Sequence, residues 1–253
     1  MAIDFHTHYA RWGGSRLPED TPERTLELLS RQDINGALIS PLMGVFSTCA
    51  DPKPENDEIF EYCEQAPGRL FAAFSVNPLF GRPALDEIMR CKHEHDARVL
   101  KLHPWLQGFS VSSPEMDAVA ALCERLDIAI LFHDGTPVYC HPLPMARLCR
   151  DFPGLTVIAG HAGLGDLARE AILAAQRYPN FVLCFCGPRE LVMREMVDTI
   201  RPEQLCVGSD IFTSDYNEAV LWFRWASFAA VEMPERTRRI IEHETPARIL
   251  GLG

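Results

Sequence analysis

Residues 3–9 read "IDFHTHY" and place two histidines, His6 and His8, one residue apart at the end of a short apolar run. In a β-strand, residues i and i+2 point to the same side, about 6.5–7 Å apart along the chain. Both imidazoles can therefore approach one metal ion from a single strand. A lone His-x-His pair is a weak signal, so its meaning depends on what the rest of the chain brings to the same place.

Short apolar, β-prone segments alternate with longer helical patterns along all 253 residues. The predicted strands are residues 2–5, 36–40, 70–76, 98–102, 128–132, 155–159, 181–185 and 204–208. Apolar spacing near 3.6 predicts helices over residues 21–32, 55–66, 83–96, 113–127, 143–152, 164–178, 188–200 and 217–232. Strands that are apolar throughout indicate burial on both faces and hence a parallel sheet. A closed (β/α)8 barrel and an open doubly wound sheet both fit this alternation.

Polar residues follow five of the predicted strands and favour the barrel. They are His6, His8, Lys101, His103, His133, Asp134, His161, Ser209 and Asp210. In a barrel, the carboxyl ends of all strands face one cavity, where such enzymes carry their chemistry. Closure would bring strand 8 beside strand 1, and therefore Asp210 beside the histidine pair, whereas an open sheet would scatter these residues. The sequence predicts a closed (β/α)8 barrel, a TIM barrel, as a single domain over residues 1–253.

Composition narrows the class of protein. The balance of 24 basic and 35 acidic residues gives a net charge of −11, which argues against a nucleic-acid or anionic-membrane partner. No apolar run reaches the roughly 18 residues of a membrane span, and the N-terminus lacks a signal-peptide pattern. Nine cysteines without a CxxC pair indicate buried thiols in a reducing compartment. We therefore expect a cytoplasmic protein.

The ordered set "DFHTH", "KLHP", "FHDG", "AGHAG" and "GSD" resembles the amidohydrolase superfamily, in its amidohydrolase-related branch. The closing "HETPARILGLG" resembles the family's terminal helix, with Glu244-Thr245 in place of the usual asparagine, and predicts a C-terminal helical extension. The resemblance implies a barrel with one or two divalent metal ions that hydrolyses amides, lactones and related bonds. A side branch of the family decarboxylates aromatic or unsaturated acids without oxidation.

The candidate metal ligands are His6, His8, Lys101, His133, His161 and Asp210. Neutral imidazoles with a carboxylate suit Zn²⁺, with Mn²⁺ or Fe²⁺ as alternatives. The catalytic candidates are Asp210, as ligand and proton acceptor, His161 and Lys101. In two-metal relatives, the lysine at the end of strand 4 becomes a carbamate that bridges the ions, and Lys101 matches that place. Two ions, with His133 and His161 on the second, are narrowly favoured over one.

Loop residues supply the candidate contacts to a small-molecule substrate. They are Arg11, Trp12, His103 and Arg189, with weaker claims for His141, Phe212 and Tyr216. Homo-oligomerisation stays open.

Three functions compete at this stage. A metal-dependent hydrolase of a small carbonyl compound leads, because "KLHP" carries a lysine that decarboxylase-like relatives usually lack. A metal-dependent decarboxylase is the alternative. A barrel that binds without turnover is disfavoured by the complete ligand set.

Overall fold

The structure is a computed structural model that describes residues 2–10, 16–213 and 218–252. Its strands are β1 (Ile3–His8), β2 (Gly36–Ser40), β3 (Leu70–Phe74), β4 (Val99–Leu102), β5 (Ala129–Phe132), β6 (Val157–Ala159), β7 (Phe181–Phe185), β8 (Leu205–Val207) and β9 (Ile211–Phe212). The eight predicted strands are confirmed, each within a few residues. The ninth was not predicted, because two residues are too short to show a pattern.

Helices follow the strands along the chain. They are α1 (Pro22–Ser30), α2 (Lys53–Glu64), α3 (Arg82–His95), α4 (Pro104–Gln107), α5 (Pro114–Leu126), α6 (Pro142–Asp151), α7 (Ala168–Arg177), α8 (Glu190–Thr199), α9 (Glu218–Ala229), α10 (Glu235–Arg239) and α11 (Thr245–Leu250). Two 3₁₀ turns, Pro78–Phe80 and Pro202–Gln204, and a π-helical segment, Ile240–Glu244, complete the elements described. No helix in the described ranges is long and apolar enough to cross a membrane.

The strands form one parallel sheet in the order β8-β7-β6-β5-β4-β3-β2-β1-β9. The two outermost strands of this order, β8 and β9, are separated in the chain by only residues 208–210. β9 pairs with β1 at Thr7↔Ile211 and His8↔Phe212, and the amide of Asp210 donates to the carbonyl of His6 at 2.8 Å. This curled sheet with surrounding helices is an α/β fold of the TIM-barrel type, as expected from the sequence.

Two apolar clusters sit on the two faces of the sheet. The inner cluster takes alternate residues from successive strands, including Ile3, Phe5, Val99, Leu131 and Cys184, together with Ile249 and Leu250 of α11. The outer, larger cluster packs the other strand residues against the helices. Burial on both faces explains why the strands read as continuous apolar runs.

β1 continues through the histidine pair rather than ending before it. Its register against β2 shifts between Asp4 and Thr7, so β1 carries one extra residue there. Such bulges re-aim side chains and are common beside active sites. The polar residues remain inside the strand because they have partners; the Thr7 hydroxyl, for example, donates to the carbonyl of Leu38 at 2.8 Å.

Two glycines, which follow β6 and β8, let the backbone at those strand ends approach His6. A Cβ on Gly208 would lie 2.5 Å from the Cβ of His6 and 2.8 Å from its backbone nitrogen. A Cβ on Gly160 would lie 2.5 Å from the carbonyl oxygen of Phe132 and 2.9 Å from the His6 ring. The glycines in "AGHAG" and "GSD" therefore make room for His6.

Gly208→Ala should lower the free energy of unfolding by about 1–3 kcal/mol, because β1 must shift to admit the methyl group. Urea denaturation followed by circular dichroism measures this. Gly165→Ala is the matched control, since a Cβ there meets nothing within 4 Å; it should change stability by less than about 0.5 kcal/mol. Equal effects of the two substitutions would contradict the packing argument.

Candidate metal centre

The six predicted ligands lie at or just beyond the carboxyl ends of five strands, where they form one connected cluster. The Lys101 Nζ lies 2.7 Å from His6 Nε2, and His8 Nε2 lies 3.0 Å from Asp210 Oδ1. His161 Nε2 lies 2.9 Å from His133 Nδ1. The rings of His6 and His161, with centroids 4.7 Å apart, join the two halves of the cluster.

Three of the imidazoles are oriented in the same way, by a backbone carbonyl. The Nδ1 of His6 contacts the oxygen of Gly160 at 2.9 Å, that of His8 contacts Pro41 at 3.3 Å, and that of His161 contacts Cys186 at 2.7 Å. A carbonyl oxygen only accepts hydrogen bonds, so each Nδ1 carries the proton. Each ring therefore turns its Nε2 towards the cluster, which is how metal-binding histidines are commonly oriented.

His8 and Asp210 face each other at hydrogen-bonding distance. The Nε2 of His8 lies 3.0 Å from Asp210 Oδ1, and the Nε2 of His6 lies 3.6 Å from the same oxygen. A proton or a cation between these atoms would hold them together. One ligand atom from each of His6, His8 and Asp210 falls within 4.8 Å of the others. This donor set, two imidazoles and a carboxylate, fits a divalent transition metal.

Lys101 is almost completely buried among these groups, at 1% exposure. Burial lowers the pKa of its amine, although the negative charge of Asp210 opposes the shift. Its Nζ donates to the unprotonated His6 Nε2. The sequence expectation that this lysine has an accessible neutral amine agrees with the direction of the pKa shift.

His133 and His161 form a hydrogen-bonded pair in the second half of the cluster. His133 Nδ1 donates to His161 Nε2, and the Thr136 hydroxyl donates to His133 Nε2 at 3.0 Å. The ring of His103 stacks on that of His133, with centroids 3.8 Å apart and planes 9° apart. Burial lowers the pKa of His161 to about 4 and that of His103 to about 3. Both rings are therefore neutral at neutral pH.

Two buried aspartates that sequence reasoning left without a role position the cluster. Asp4 accepts hydrogen bonds from the amide of Ser209 at 3.0 Å and the indole of Trp225 at 3.1 Å. Asp134 accepts from the amides of His161 and Gly163, at 2.5 and 2.6 Å. Burial raises the pKa of each to about 6. The available signal was a carboxylate inside an apolar strand motif, "DFHTH" or "FHDG".

Asp210 has a backbone conformation that few residues adopt, with φ at +64°. Aspartate tolerates this left-handed region better than most residues. The turn over residues 208–210 separates β8 from β9 and aims the carboxylate at β1, while Ser209 Oγ accepts the amide of Ile211 at 3.4 Å. Residues in strained conformations tend to cluster at functional sites.

The predicted substrate contacts have different positions. His103 is at the edge of the cluster, where its backbone amide is held by the side chain of Gln107 at 2.8 Å. Arg189 is exposed at the start of α8 and lines a separate cavity of about 160 Å³. Phe212 contacts the ring of His8, with centroids 5.8 Å apart. The remaining candidates, Arg11, Trp12 and Tyr216, lie outside the described residues.

A parallel α/β sheet of the TIM-barrel type, with histidines and an aspartate gathered at its carboxyl edge, defines a metal-dependent barrel enzyme class. The family model described as amidohydrolase (Amidohydro_2) matches residues 3–252. The chain therefore belongs to this amidohydrolase family, as the sequence motifs indicated. No curated protein matches the sequence.

Solved structures resemble this chain over nearly its whole length. A 2,6-dihydroxybenzoate decarboxylase from Rhizobium has a TM-score of 0.77 at 17% identity, covering 99% of this chain and 98% of its own. A 5-carboxyvanillate decarboxylase from Novosphingobium aromaticivorans, complexed with manganese and 4-hydroxy-3-methoxy-5-nitrobenzoic acid, has a TM-score of 0.78 at 14% identity, covering 100% and 96%. An uncharacterised TIM-barrel protein from Bordetella bronchiseptica has a TM-score of 0.75 at 16% identity, covering 99% and 98%. At these identities the similarity establishes the fold.

Trp225→Phe should lower the free energy of unfolding by about 1.5–3 kcal/mol, because it removes a donor from the buried carboxylate of Asp4. Urea denaturation measures the loss. Trp222→Phe is the matched control on the same helix, since Trp222 is 57% exposed; it should stay within about 0.5 kcal/mol of the parent. A Trp225→Phe protein as stable as the control would show that the indole N–H does not support the site.

Proposed function

We propose that this protein is a metal-dependent, non-oxidative decarboxylase of an aromatic or unsaturated carboxylic acid. The observation that carries the proposal is the whole-length structural similarity to two kinds of aromatic-acid decarboxylase, together with membership of the amidohydrolase family. The histidine-rich cluster at the carboxyl edge of the sheet supports it, because such a centre can hold both a metal and a carboxylate. This choice reverses the order of the two functions favoured by sequence.

His6, His8 and Asp210 would hold one divalent ion, Mn²⁺ or Zn²⁺. When bound, the ion supplies positive charge that holds the substrate's carboxylate or an adjacent oxygen. His133 and His161 each have both ring nitrogens in hydrogen bonds: with each other at 2.9 Å, with the Thr136 hydroxyl and with the carbonyl of Cys186. We therefore place one ion per chain. The two-ion centre with a Lys101 carbamate stays a prediction from sequence.

Decarboxylation needs a proton at the carbon that loses the carboxylate. In the balanced reaction, R–COO⁻ and H⁺ give R–H and CO₂, so the C–C bond pair returns to the carbon and takes up the proton. Burial works to raise the pKa of Asp210, but the hydrogen bond from His8 and the neighbouring imidazoles hold that pKa well below its usual range. The carboxylate is therefore ionised, and it would relay the proton by first accepting one from solvent, which its 40% exposed side chain can meet. His161, held by His133 and by the carbonyl of Cys186, would offer its ring as a wall against which the substrate lies.

Hydrolysis is the second candidate, favoured by one observation. The Lys101 amine is buried and has a lowered pKa, and by the sequence resemblance it corresponds to the lysine that forms the bridging carbamate in two-metal hydrolases of the superfamily. In that case the reaction would consume water and release a new carboxylate without CO₂. The two functions therefore differ in their products.

The proposal also covers closure of the sheet, the C-terminal helical segment and the cellular location. We infer that the sheet closes into a single-domain barrel, because strands from both ends of the chain meet at β1 and β9. The C-terminal helical segment supports that domain by inserting Ile249 and Leu250 into the inner cluster. The nine cysteines are all unpaired thiols, which supports a cytoplasmic location.

Purified protein should contain about one divalent metal ion per chain, and His8→Ala should lose most of it, because one of three protein ligands is gone. Elemental analysis by mass spectrometry measures the content. His93→Ala, at an exposed position on α3, is the matched control and should keep its metal. Two equivalents that depend on added bicarbonate would contradict the one-ion centre and favour the carbamate.

Metal-loaded protein should release CO₂ from at least one member of a panel of hydroxybenzoates and unsaturated acids. Asp210→Asn should reduce that rate about a hundredfold or more, because an amide cannot deliver the proton. Headspace CO₂ and the decarboxylated product, measured together, test both points, with circular dichroism to verify folding. Release of a new carboxylate from lactones or amides, without CO₂ from any acid, would overturn the decarboxylase and support the hydrolase.

A further inference from the structure

A cavity of about 610 Å³ lies beside the metal centre rather than within it. Its walls are the segment after β4, which contains α4, and the loop between β5 and α6. Because both segments begin at strand ends that carry cluster residues, the cavity lies at the carboxyl edge of the sheet. Lining residues include Trp105, Phe109, Val111, Val138, Tyr139 and His141.

A series of ring contacts connects this cavity to the metal centre. His133 stacks on His103 at 3.8 Å between centroids, and His103 lies 6.4 Å from Trp105. Trp105 in turn stacks on Tyr139 at 5.9 Å, with 16° between the planes. Two ring-to-ring steps therefore separate the cluster residue His133 from the cavity wall, a span that one additional aryl ring on a substrate can bridge.

The walls of the cavity are aromatic and apolar, and they suit a flat, uncharged group. Trp105 and Tyr139 are 51% and 60% exposed, so large aromatic faces meet solvent until something covers them. Val138, at the rim, is 81% exposed and has a φ of +76°. A β-branched residue rarely adopts this strained backbone, and such strain tends to persist where a ligand site uses it.

One polar side chain in the cavity wall, His141, can determine the orientation of a bound ligand. His141 Nδ1 lies 2.8 Å from Glu170 Oε2, and this carboxylate accepts the Nδ1 proton. His141 Nε2 is then the polar atom that the cavity wall offers to a ligand. It has no hydrogen-bonding partner among the residues described, so a hydroxyl on the distal ring, which can accept as well as donate, would meet it.

We propose that this cavity binds the distal end of the substrate, an aryl group bearing a hydroxyl, while the substrate's carboxylate lies at the metal centre. The inference rests on the proposed function for the carboxylate end only. It assigns Trp105, Tyr139 and Val138 to the aryl ring and His141 to its hydroxyl. The substrate class is thus an aryl-extended carboxylic acid rather than a single-ring one.

Isothermal titration calorimetry on metal-loaded protein tests this with three probes: benzoate, 4-phenylbenzoate and 4-(4-hydroxyphenyl)benzoate. Wild type should bind 4-phenylbenzoate about tenfold more tightly than benzoate, from burial of the second ring. The hydroxyl should add a further severalfold gain. Trp105→Ala and Val138→Asp should each remove the tenfold preference and leave the affinity for benzoate unchanged, whereas His141→Phe should remove only the gain from the hydroxyl.

Leu191→Ala is the matched control, because Leu191 is 79% exposed on α8 and does not line the cavity; it should keep every preference. Equal wild-type affinity for benzoate and 4-phenylbenzoate would overturn the proposal, as would a preference that survives both Trp105→Ala and Val138→Asp. Calorimetry measures binding and does not require turnover. A failure to release CO₂ from any acid would therefore overturn the proposed decarboxylase activity and leave the proposed aryl site standing. Loss of a dimer on Val138→Asp, seen by light scattering with the aryl preference intact, would assign this surface to self-association instead.

Discussion

The hydrogen bond from a histidine Nδ1 to a backbone carbonyl is the interaction on which the site depends. It occurs three times, at His6, His8 and His161. The acceptor follows the adjacent strand for His8 and His161, and it follows β6, which is not adjacent to β1, for His6. The backbone beyond one strand thereby orients a ring on another. Three Nε2 atoms point inward as a result, together with the carboxylate of Asp210. Backbone geometry alone therefore orients the candidate ligand atoms of these histidines.

That geometry requires close contact between strands, and glycine and aspartate provide it in different ways. Gly160 and Gly208 remove side chains where His6 must fit. Asp4 and Asp134 then accept backbone amides from the segments that carry Ser209 and His161. Burying a carboxylate costs free energy unless amide donors satisfy it. The two buried aspartates therefore fix the backbone of the segments that carry the site residues.

The sequence predicted the fold and the composition of the cluster because both follow from periodic signals. Apolar runs located the strands, and polar residues at their ends, such as His133 and Asp210, marked one edge of the sheet. The hydrogen-bond partners of these side chains could not be predicted in this way. The spacing of residues along the sequence does not show that His133 pairs with His161 or that Lys101 contacts His6. The same holds for β9, whose pairing joins Thr7 to Ile211, and for the bulge in β1, which is defined only by its register against β2. Side-chain tautomers depend on carbonyls from distant segments, and a sequence pattern contains no information about them.

The join between β1 and the segment after β8 has a consequence for how the protein is made. His8 and Asp210 are 202 positions apart, and Asp4 finds its indole partner at Trp225. Contacts of such long range form late and slow folding. On a ribosome, β1 emerges long before Ile211 and Phe212, which pair with it. The candidate ligand set of His6, His8 and Asp210 therefore cannot assemble on a chain that ends before residue 210.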